Sequence, residues 1–430
     1  MSSRTTAPWP ISKLEDLVNE VTSGATPQSG NPRYYAATGV PFAKIDDLTA
    51  STDRFLQDAS LRITPAAFRD TAVKVYPAGT ILLSMYGTIG LVKTISVPMA
   101  ANQALAALVP PFRCHPGYLV HFLDWARDRW LASSGQTTQA NINGRAVKSS
   151  HVPVPSQTEQ CRIADILDTL DDTIRKTEEI IAKLEQAKQG LLHDLLTRGI
   201  DENGELRDPD RHPEQFKETV LGWLPKTWSV VAMKEVVPAA EYGISSSLSD
   251  DGAVPVLRMM NLAQGEVDVS DLKYSNESEA FHLPLHNGDV LFNRTNSMEH
   301  VGRTAVWRGQ LLVASFASYL VRLLPDPSRL DPEFLNLWLN LPETQLRIRK
   351  WATPGVQQVN INPTNLRKTC LALPATLHKQ REIVDRIRVH DALVHVEAGE
   401  LSKLRGAREG LADDLLTGRV RVPEAEKAFA

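Results

Sequence analysis

The chain has 430 residues, of which 42% are hydrophobic and 23% are charged, and its formal net charge at pH 7 is −4. That length is enough for two to four domains, each with a buried core. No apolar run approaches the roughly 20 residues that a membrane-spanning helix needs, and the first residues lack the apolar core of a secretory signal. The three cysteines are scattered, so the sequence indicates neither a disulfide framework nor a metal site, and we expect a cytoplasmic protein.

Charge is distributed unevenly along the chain. Lysine and arginine outnumber aspartate and glutamate by 14 to 10 in residues 1–150, and the two are nearly balanced, 14 to 15, in residues 223–375. Acidic residues prevail by 9 to 6 in residues 157–200 and by 7 to 3 in residues 201–222. No segment is basic enough to hold DNA by charge alone, so any DNA affinity would be shared with partner proteins.

The first head is predicted to span residues 1–155. Short runs typical of β-strands, such as residues 80–87 and 104–110, are separated by turn-forming residues. A helical stretch at 117–134 interrupts them. This mixture predicts an α+β domain.

One long helix is predicted for residues 156–198. Apolar residues recur there at alternating spacings of four and three, which is typical of a coiled coil. The predicted seam consists of Ile163, Leu167, Leu170, Ile174, Ile181, Leu184, Leu191 and Leu195. Thr177 and Lys188 break the apolar pattern. Either they form the solvated edge of an imperfect seam, or they fix the register of this helix against a second one.

The rest of the chain repeats this order. Residues 199–222 are polar, acidic and rich in turn formers, which predicts a linker. A second α+β head follows at 223–375, then a second long helix at 376–418 and a tail at 419–430. The equivalent seam of the second helix consists of Ile383, Ile387, Val394, Leu401, Leu404, Leu411 and Leu415.

The two halves are related in sequence. LEQAKQGLLHDLLT at 184–197 matches LRGAREGLADDLLT at 404–417 at eight positions, and Lys188 and Arg408 occupy the same place in the two copies. Repeats of 20–50 residues would indicate a solenoid. A spacing of about 220 residues instead predicts a duplicated module of head and helix, with pseudo-twofold internal symmetry.

No catalytic motif is present in the sequence. The phosphate-binding loop, the zinc-protease and zinc-knuckle patterns and the nucleophile elbow are all missing. VPPF at 109–112 is similar to the tetrad of adenine methyltransferases, but Val109 cannot hydrogen-bond a flipped adenine, and no glycine-rich S-adenosylmethionine loop accompanies it. We therefore predict no catalytic residue, metal or cofactor in this chain.

Three polar, turn-rich loops are predicted in each head. Their amide, hydroxyl and guanidinium side chains are groups that contact base edges and phosphates in DNA. Any single residue could be an ordinary loop residue, but three such loops in both heads favour a binding surface. The candidates in the first head are Thr26, Gln28, Asn31, Arg33, Tyr34, Ser84, Tyr86, Thr88, Gln136, Thr137, Gln139 and Asn141. Those in the second head are Tyr242, Ser245, Ser246, Arg258, Asn293, Arg294, Thr295, Asn296, Gln357, Gln358 and Asn360.

Several segments together resemble the DNA-specificity subunit of type I restriction–modification systems, and the likeness covers nearly the whole chain. SGATP, NPRYY and VPFAKIDDL resemble the opening of that family's domain, and VPVPSQTEQCRIADILDTLDDTI resembles the entry to its central helix. Segments in the second half resemble its linker and the interior of its second domain. In chain order these segments are residues 23–27, 31–35, 40–48, 152–174, 207–230, 287–307 and 315–323.

The resemblance implies two target-recognition domains, each of which reads one half of a bipartite, asymmetric DNA sequence. It implies that the two long helices pack antiparallel, act as a ruler for the gap and dock two methyltransferase subunits, which hold S-adenosylmethionine. Motor-nuclease subunits would join for restriction. The chain itself would be a non-catalytic subunit of host defence. An alternative is a coiled-coil scaffold whose heads bind protein.

Overall fold

A computed structural model describes residues 9–128, 130, 142–356 and 358–422. The chain forms two compact units, one of residues 1–178 with 399–430 and one of residues 179–398. This division falls inside both long helices, so each unit holds one head and one half of each helix. The predicted domain boundaries lie instead at the helix ends.

The described helices are α1 (Leu14–Leu17), α2 (Ile45–Ala50), α3 (Pro65–Asp70), α4 (Pro116–Trp125), α5 (Gly144–Ser149), α6 (Gln157–Thr197), α7 (Ser278–His282), α8 (Pro332–Asn340), α9 (Pro342–Arg349), α10 (Pro363–Leu366) and α11 (Leu377–Leu416). Short 3-10 turns lie at Pro213–Gln215, Met233–Glu235 and Met259–Asn261.

The strands of the first unit are β1 (Ile11–Lys13), β2 (Glu20–Ser23), β3 (Tyr35–Ala43), β4 (Phe55–Leu56), β5 (Leu61–Ile63), β6 (Val75–Tyr76), β7 (Ile81–Ser84), β8 (Val92–Ile95), β9 (Met99–Ala101), β10 (Leu105–Val109) and β11 (His151–Pro153). Those of the second unit are β12 (Phe216–Thr219), β13 (Gly222–Pro225), β14 (Ser229–Ala232), β15 (Ala239–Tyr242), β16 (Val254–Leu257), β17 (Leu262–Ala263), β18 (Glu266–Val267), β19 (Lys273–Ser275), β20 (Val290–Asn293), β21 (Thr295–Asn296), β22 (Thr304–Val306), β23 (Ser315–Phe316), β24 (Leu320–Leu324), β25 (Ala352–Pro354), β26 (Val359–Ile361) and β27 (Cys370–Leu373).

The two heads share one sheet topology. The main sheet has the order β2-β10-β7-β8-β4 in the first head and β15-β24-β20-β22 in the second. A further sheet contains the parallel pair β3 and β9 in the first head and the parallel pair β16 and β23 in the second. In each head a two-stranded antiparallel ladder, β1 with β11 or β14 with β27, joins a strand near the start of the head to its last strand. The predicted α+β class and internal duplication are confirmed.

The central strands of the main sheets are buried on both faces, which explains their continuous apolar runs. All five residues of β10 and all four of β7 and of β20 are buried. Helices α4 and α8 pack on these sheets, and proline at their first position suits a helix start. Asp331 caps α8 by accepting hydrogen bonds from the backbone N–H groups of Glu333 and Phe334.

Both long helices are present, with 41 residues in α6 and 40 in α11. Each unit buries the start of one helix beside the end of the other. In the first unit Ile163, Leu167 and Leu415 share one apolar core with the head. In the second unit Leu195 and Ile383 do the same. Within each unit the helix halves therefore run antiparallel.

The predicted seam is buried or half-buried with one exception. Ile163, Leu167, Leu195, Ile383, Ile387 and Leu415 are buried, and Leu170, Ile174, Ile181, Leu184, Leu191, Val394, Leu401 and Leu404 are half-buried. Leu411 is 36% exposed, so its assignment to the buried seam is wrong. Near its end α11 turns a different face inward, and Ala412 and Leu416 are buried in the core of the first head instead.

Polar residues in the seam form equivalent ion pairs. Lys188 pairs with Asp391 in the second unit. In the first unit Arg408 pairs with Asp171 at 2.9 Å. Lys188 and Arg408 are 220 residues apart, and so are Asp171 and Asp391, so the duplication preserved the pair. This favours the interpretation that these residues fix the register, because a merely solvated edge would not keep matched partners.

A buried glutamine joins each long helix to its head. Gln160 accepts a hydrogen bond from the backbone N–H of His115 at 2.7 Å and donates to the carbonyl of Pro155 at 2.8 Å. Gln380 accepts from the N–H of Asp331 and donates to the carbonyl of Arg329, both at 2.8 Å. His115 and Asp331 are the residues just before α4 and α8. Each glutamine therefore holds the helix of its head against the start of a long helix.

A tryptophan from the start of each head packs against the glycine that follows the end of a long helix. Gly199 and Gly418 follow α6 and α11 with φ values of +65° and +72°, a conformation that favours glycine. An added Cβ would lie 2.7 Å from the ring of Trp228 at Gly199 and 3.1 Å from the ring of Trp9 at Gly418. Both the backbone conformation and the close ring require glycine at these two positions.

Replacing Gln160 with Leu removes the acceptor of the His115 N–H, which would remain partly buried without this partner. We expect the free energy of unfolding to fall by about 1–3 kcal/mol in urea denaturation. The matched control is Gln157→Leu, an exposed position in the same helical turn, which should change it by less than about 0.5 kcal/mol. Equal losses in the two variants would contradict the joining role of Gln160.

Replacing Lys188 with Asp places a second carboxylate beside that of Asp391. The repulsion between the two carboxylates should lower the melting temperature. The reversed pair, Lys188→Asp with Asp391→Lys, should recover part of the loss, with a coupling energy of about 1 kcal/mol or less because the pair is partly exposed. Lys183→Asp, on the exposed face of the same helix, is the control. Additive effects of the two single changes would show that the pair does not set the register.

Candidate nucleic-acid interface

The first polar loop of each head is positioned by a close approach between backbones. An added Cβ at Gly24 would lie 2.1 Å from the carbonyl oxygen of Ala101, and one at Gly243 would lie 2.3 Å from that of Phe316. Such distances exclude any side chain. These two glycines bring equivalent loops against β9 and β23.

The first loop of the first head is folded on itself. Thr26 is exposed and its hydroxyl donates to Gln103, while Gln28 is exposed. Asn31 accepts a hydrogen bond from the N–H of Arg33 at 3.0 Å, and Arg33 pairs with Asp70 at 2.7 Å. Tyr34 is half-buried against a small apolar cluster. The loop therefore presents Thr26 and Gln28 on a defined backbone.

In the second loop, the structure contradicts the predicted contact of Ser84 with DNA. Ser84 is fully buried, its hydroxyl donates to the carbonyl of Thr88 and it accepts from the N–H of Leu91 at 2.9 Å. It shapes the turn and is not available to a DNA duplex. Tyr86 is 45% exposed, and Thr88 is half-buried. Tyr86 is thus the accessible member of this loop.

Four candidates in the third loop, Gln136, Thr137, Gln139 and Asn141, lie outside the described residues, and so does Gln357 in the second head. Directly after the third loop, a cleft of about 830 Å³ opens beside β2 and α5. Lys13, Arg145 and Lys148 line it together with Glu15 and Glu20. Arg145 and Lys148 were missed by the sequence reasoning, although they directly follow the polar loop.

In the second head a small sheet assembles several candidates. Strand β26 pairs with both β21 and β25, which brings Thr295 opposite Asn360. The Asn360 amide donates to the Thr295 hydroxyl at 3.0 Å, and Thr295 is 9% exposed. Asn296 in β21 and Gln358, the residue just before β26, are half-buried. The guanidinium of Arg294 lies over the ring of Tyr242, 5.0 Å from its centroid.

The remaining candidates of the second head are Asn293, Arg258, Ser245 and Ser246, and the first two bond to other groups of the head through their side chains. Asn293 is fully buried and its amide donates to the carbonyl of His300 at 3.4 Å, so it too is corrected from a DNA contact to an internal group. Arg258 pairs with Asp271 at 3.0 Å. The N–H of Ser245 donates to Glu279 at 3.2 Å, and Ser246 is half-buried.

The two heads carry different side chains on one backbone framework. The N–H of Met85 donates to the chain just before β10 at 2.8 Å, and that of Arg294 donates to the chain just before β24 at 3.0 Å. The carbonyl of Met85 accepts from Ile142 at 2.9 Å, and that of Arg294 accepts from Ile361 at 2.8 Å. Met85 and Arg294 are therefore equivalent positions with unlike chemistry.

A family model described as the type I restriction modification DNA specificity domain matches the chain twice, over residues 7–186 and 225–405. The chain belongs to this family. Each match covers one head and most of the long helix that follows it, in agreement with the duplicated sheets. Several relatives of the chain are named as specificity subunits of type I restriction enzymes.

Relatives of this specificity subunit occur in distant organisms. The MjaIX specificity subunit of Methanocaldococcus jannaschii is 29% identical over 299 residues, which are 67% of this chain and 66% of that one. The putative MjaX subunit of the same organism is 27% identical over 209 residues, 47% of this chain and 49% of that one. The EcoBI subunit of Escherichia coli is 24% identical over 329 residues, 73% and 66%. The chain thus matches from half to two thirds of the length of these relatives.

Two solved structures share the fold of this specificity subunit. The crystal structure of the type I S subunit from M. genitalium has a TM-score of 0.55 at 13% identity and covers 99% of both chains. A chain from a study of complex assembly and conformational transition in the type I system has a TM-score of 0.60 at 18% identity, with 97% of this chain and 100% of that one covered.

None of the described helices is long and apolar enough to cross a membrane. No group of three or more His, Cys, Asp or Glu among the described residues is arranged to hold a metal ion.

Tyr86 and Ser84 make a matched pair for separating contact from folding in this specificity subunit. Tyr86→Ala should leave the free energy of unfolding within about 0.5 kcal/mol and weaken DNA binding by the assembled complex, because the ring is exposed. Ser84→Ala should leave DNA binding unchanged and lower the free energy of unfolding by about 1–3 kcal/mol, because the N–H of Leu91 loses its buried acceptor. Urea denaturation and fluorescence anisotropy at fixed salt measure the two effects. Unchanged DNA binding by Tyr86→Ala would remove this loop from the interface.

Proposed function

We propose that this specificity subunit recognises a bipartite, asymmetric DNA sequence, with each half read by one head. The observation that carries the proposal is the equivalence of Met85 and Arg294, which share their backbone hydrogen bonds and differ in side chain. A duplicated framework presents two polar surfaces of the same kind. Because the side chains at equivalent positions differ, the two half-sites differ in sequence.

The two long helices serve as the spacer between the half-sites. A helix of 41 residues is roughly 60 Å long, which exceeds the pitch of one DNA turn, about 34 Å. The equivalent ion pairs of Lys188 and Arg408 support a fixed register within each unit. A spacer that slips would not define one gap length, whereas a registered one does.

The chemistry is supplied by partners. Two methyltransferase subunits dock on the helices, hold S-adenosylmethionine and flip the target adenines, and motor-nuclease subunits join for restriction in the cytoplasm. The uneven charge of the chain supports this division of labour, since the first head carries a net charge of only +4 and the first helix is acidic. DNA is therefore held by the complex as a whole.

A map of N6-methyladenine across the host genome, with and without this gene, tests the proposal. We expect a split, asymmetric sequence whose methylation disappears on deletion and returns when the gene is restored. Both half-sites and the gap are then read from one experiment. The deletion strain keeps the genes of the partner subunits intact, so that only this gene differs between the two strains.

An identical map in the two strains, with the partner genes expressed, would refute the proposed DNA specificity. A palindromic sequence would refute the assignment of a different half-site to each head. In the first case a coiled-coil scaffold that binds protein through its heads becomes the better explanation.

A further inference from the structure

Arg294 stands at the junction of two sheets in the second head. It follows the last residue of β20 and precedes β21, and its N–H and carbonyl are hydrogen-bonded to the chain on both sides, at 3.0 Å and 2.8 Å. A residue anchored through both backbone groups has little freedom to move. The direction in which its side chain leaves the backbone is therefore fixed.

The plane of the Arg294 guanidinium is also fixed. It lies over the ring of Tyr242, 5.0 Å from the centroid, and its Nη1 donates to the carbonyl of Ser318 at 3.2 Å. Tyr242 is 50% exposed, and Arg294 is half-buried. The Nε atom is buried. Among the described residues, the outer edge of the fork, formed by Nη1 and Nη2, donates only the Nη1 hydrogen bond to Ser318 and keeps further donors.

Three other arginines of the second head have carboxylate partners. Arg258 pairs with Asp271, Arg308 with Glu333 and Arg322 with Asp289. For Arg294, no carboxylate of the described residues lies within ion-pair distance. A cation that is held in one plane, partly desolvated and left without a counter-ion provides a site for an acceptor from outside the chain.

We propose that Arg294, held in plane by Tyr242, reads a guanine in the half-site of the second head. The inference rests on the proposed function and adds one base to it. Guanine presents O6 and N7 side by side in the major groove, and an arginine fork matches both with two parallel hydrogen bonds. A phosphate can also accept two hydrogen bonds from an arginine fork, and the effect of Arg294→Lys on base discrimination distinguishes a base contact from a phosphate contact.

The pair occurs in the second head and has no equivalent in the first. Met85, buried to 3% exposure, occupies the place of Arg294 in the first head. Ser23 occupies the place of Tyr242, because it pairs with β10 as Tyr242 pairs with β24. The guanine is therefore confined to one half-site, and changes at Arg294 should leave the other half-site unaltered.

Methylation maps of hosts that express the complete system with altered subunits test this proposal. Arg294→Lys keeps the charge and loses the fork, so one guanine position of the second half-site should become degenerate, with discrimination against other bases reduced roughly 5- to 150-fold. Tyr242→Ala should relax the same position because the plane is no longer held. Tyr242→Phe retains the ring and should preserve the sequence. Arg211→Gln, which removes a charge from the exposed linker, is the control for charge alone.

The outcomes separate this proposal from the one on which it rests. A wild-type split sequence whose halves both lack guanine overturns the reading by Arg294 and leaves the proposed function standing. An unchanged recognition sequence in Arg294→Lys, with an unchanged salt dependence of DNA binding because lysine keeps a phosphate contact, also overturns it and identifies a backbone contact. A wild-type map without any split sequence removes both proposals. Relaxation at one guanine of one half-site supports the inference.

Discussion

The burial of helix ends from two distant parts of the chain is the constraint on which each head depends. The core of the first head contains Ile163 and Leu167 from the start of α6 and Leu415 and Leu416 from the end of α11. Neither helix end is long enough to bury its apolar face alone. The head therefore completes its core only when the last part of the chain has returned, and its stability depends on residues that were synthesised some 250 positions later.

The same constraint acts in the second unit with the order reversed. There the end of α6, at Leu192 and Leu196, meets the start of α11, at Val384, in the core of the second head. Gln160 and Gln380 add a directional contact to this apolar burial, since a glutamine that both accepts and donates fixes an angle as well as a distance. Packing supplies most of the stability, and these hydrogen bonds select one arrangement.

The periodicity of the sequence predicts the long helices, but the polarity of a residue does not predict whether its side chain is exposed. The spacing of four and three found both long helices and all but one seam position, because the period follows from the helix itself. Ser84 and Asn293 appeared to be loop residues because they are polar and end an apolar run. Both instead lie at the ends of strands buried on both faces, where their side chains hydrogen-bond to the backbone inside the head. The stacking of Arg294 on Tyr242 joins residues 52 positions apart, and no local pattern reports it.

The ladders formed by β1 with β11 and by β14 with β27 have a consequence for how such a chain diversifies. Ile11 lies opposite Pro153, and Ser229 lies opposite Leu373, so the chain enters and leaves each head at neighbouring points. Everything between those points behaves as a cassette. Loops can lengthen, and a new head that buries the same residues of α6 and α11 can replace the old one, without shifting the helices that receive its two ends. A single exchange of a head can therefore change the sequence preference while the two long helices stay the same.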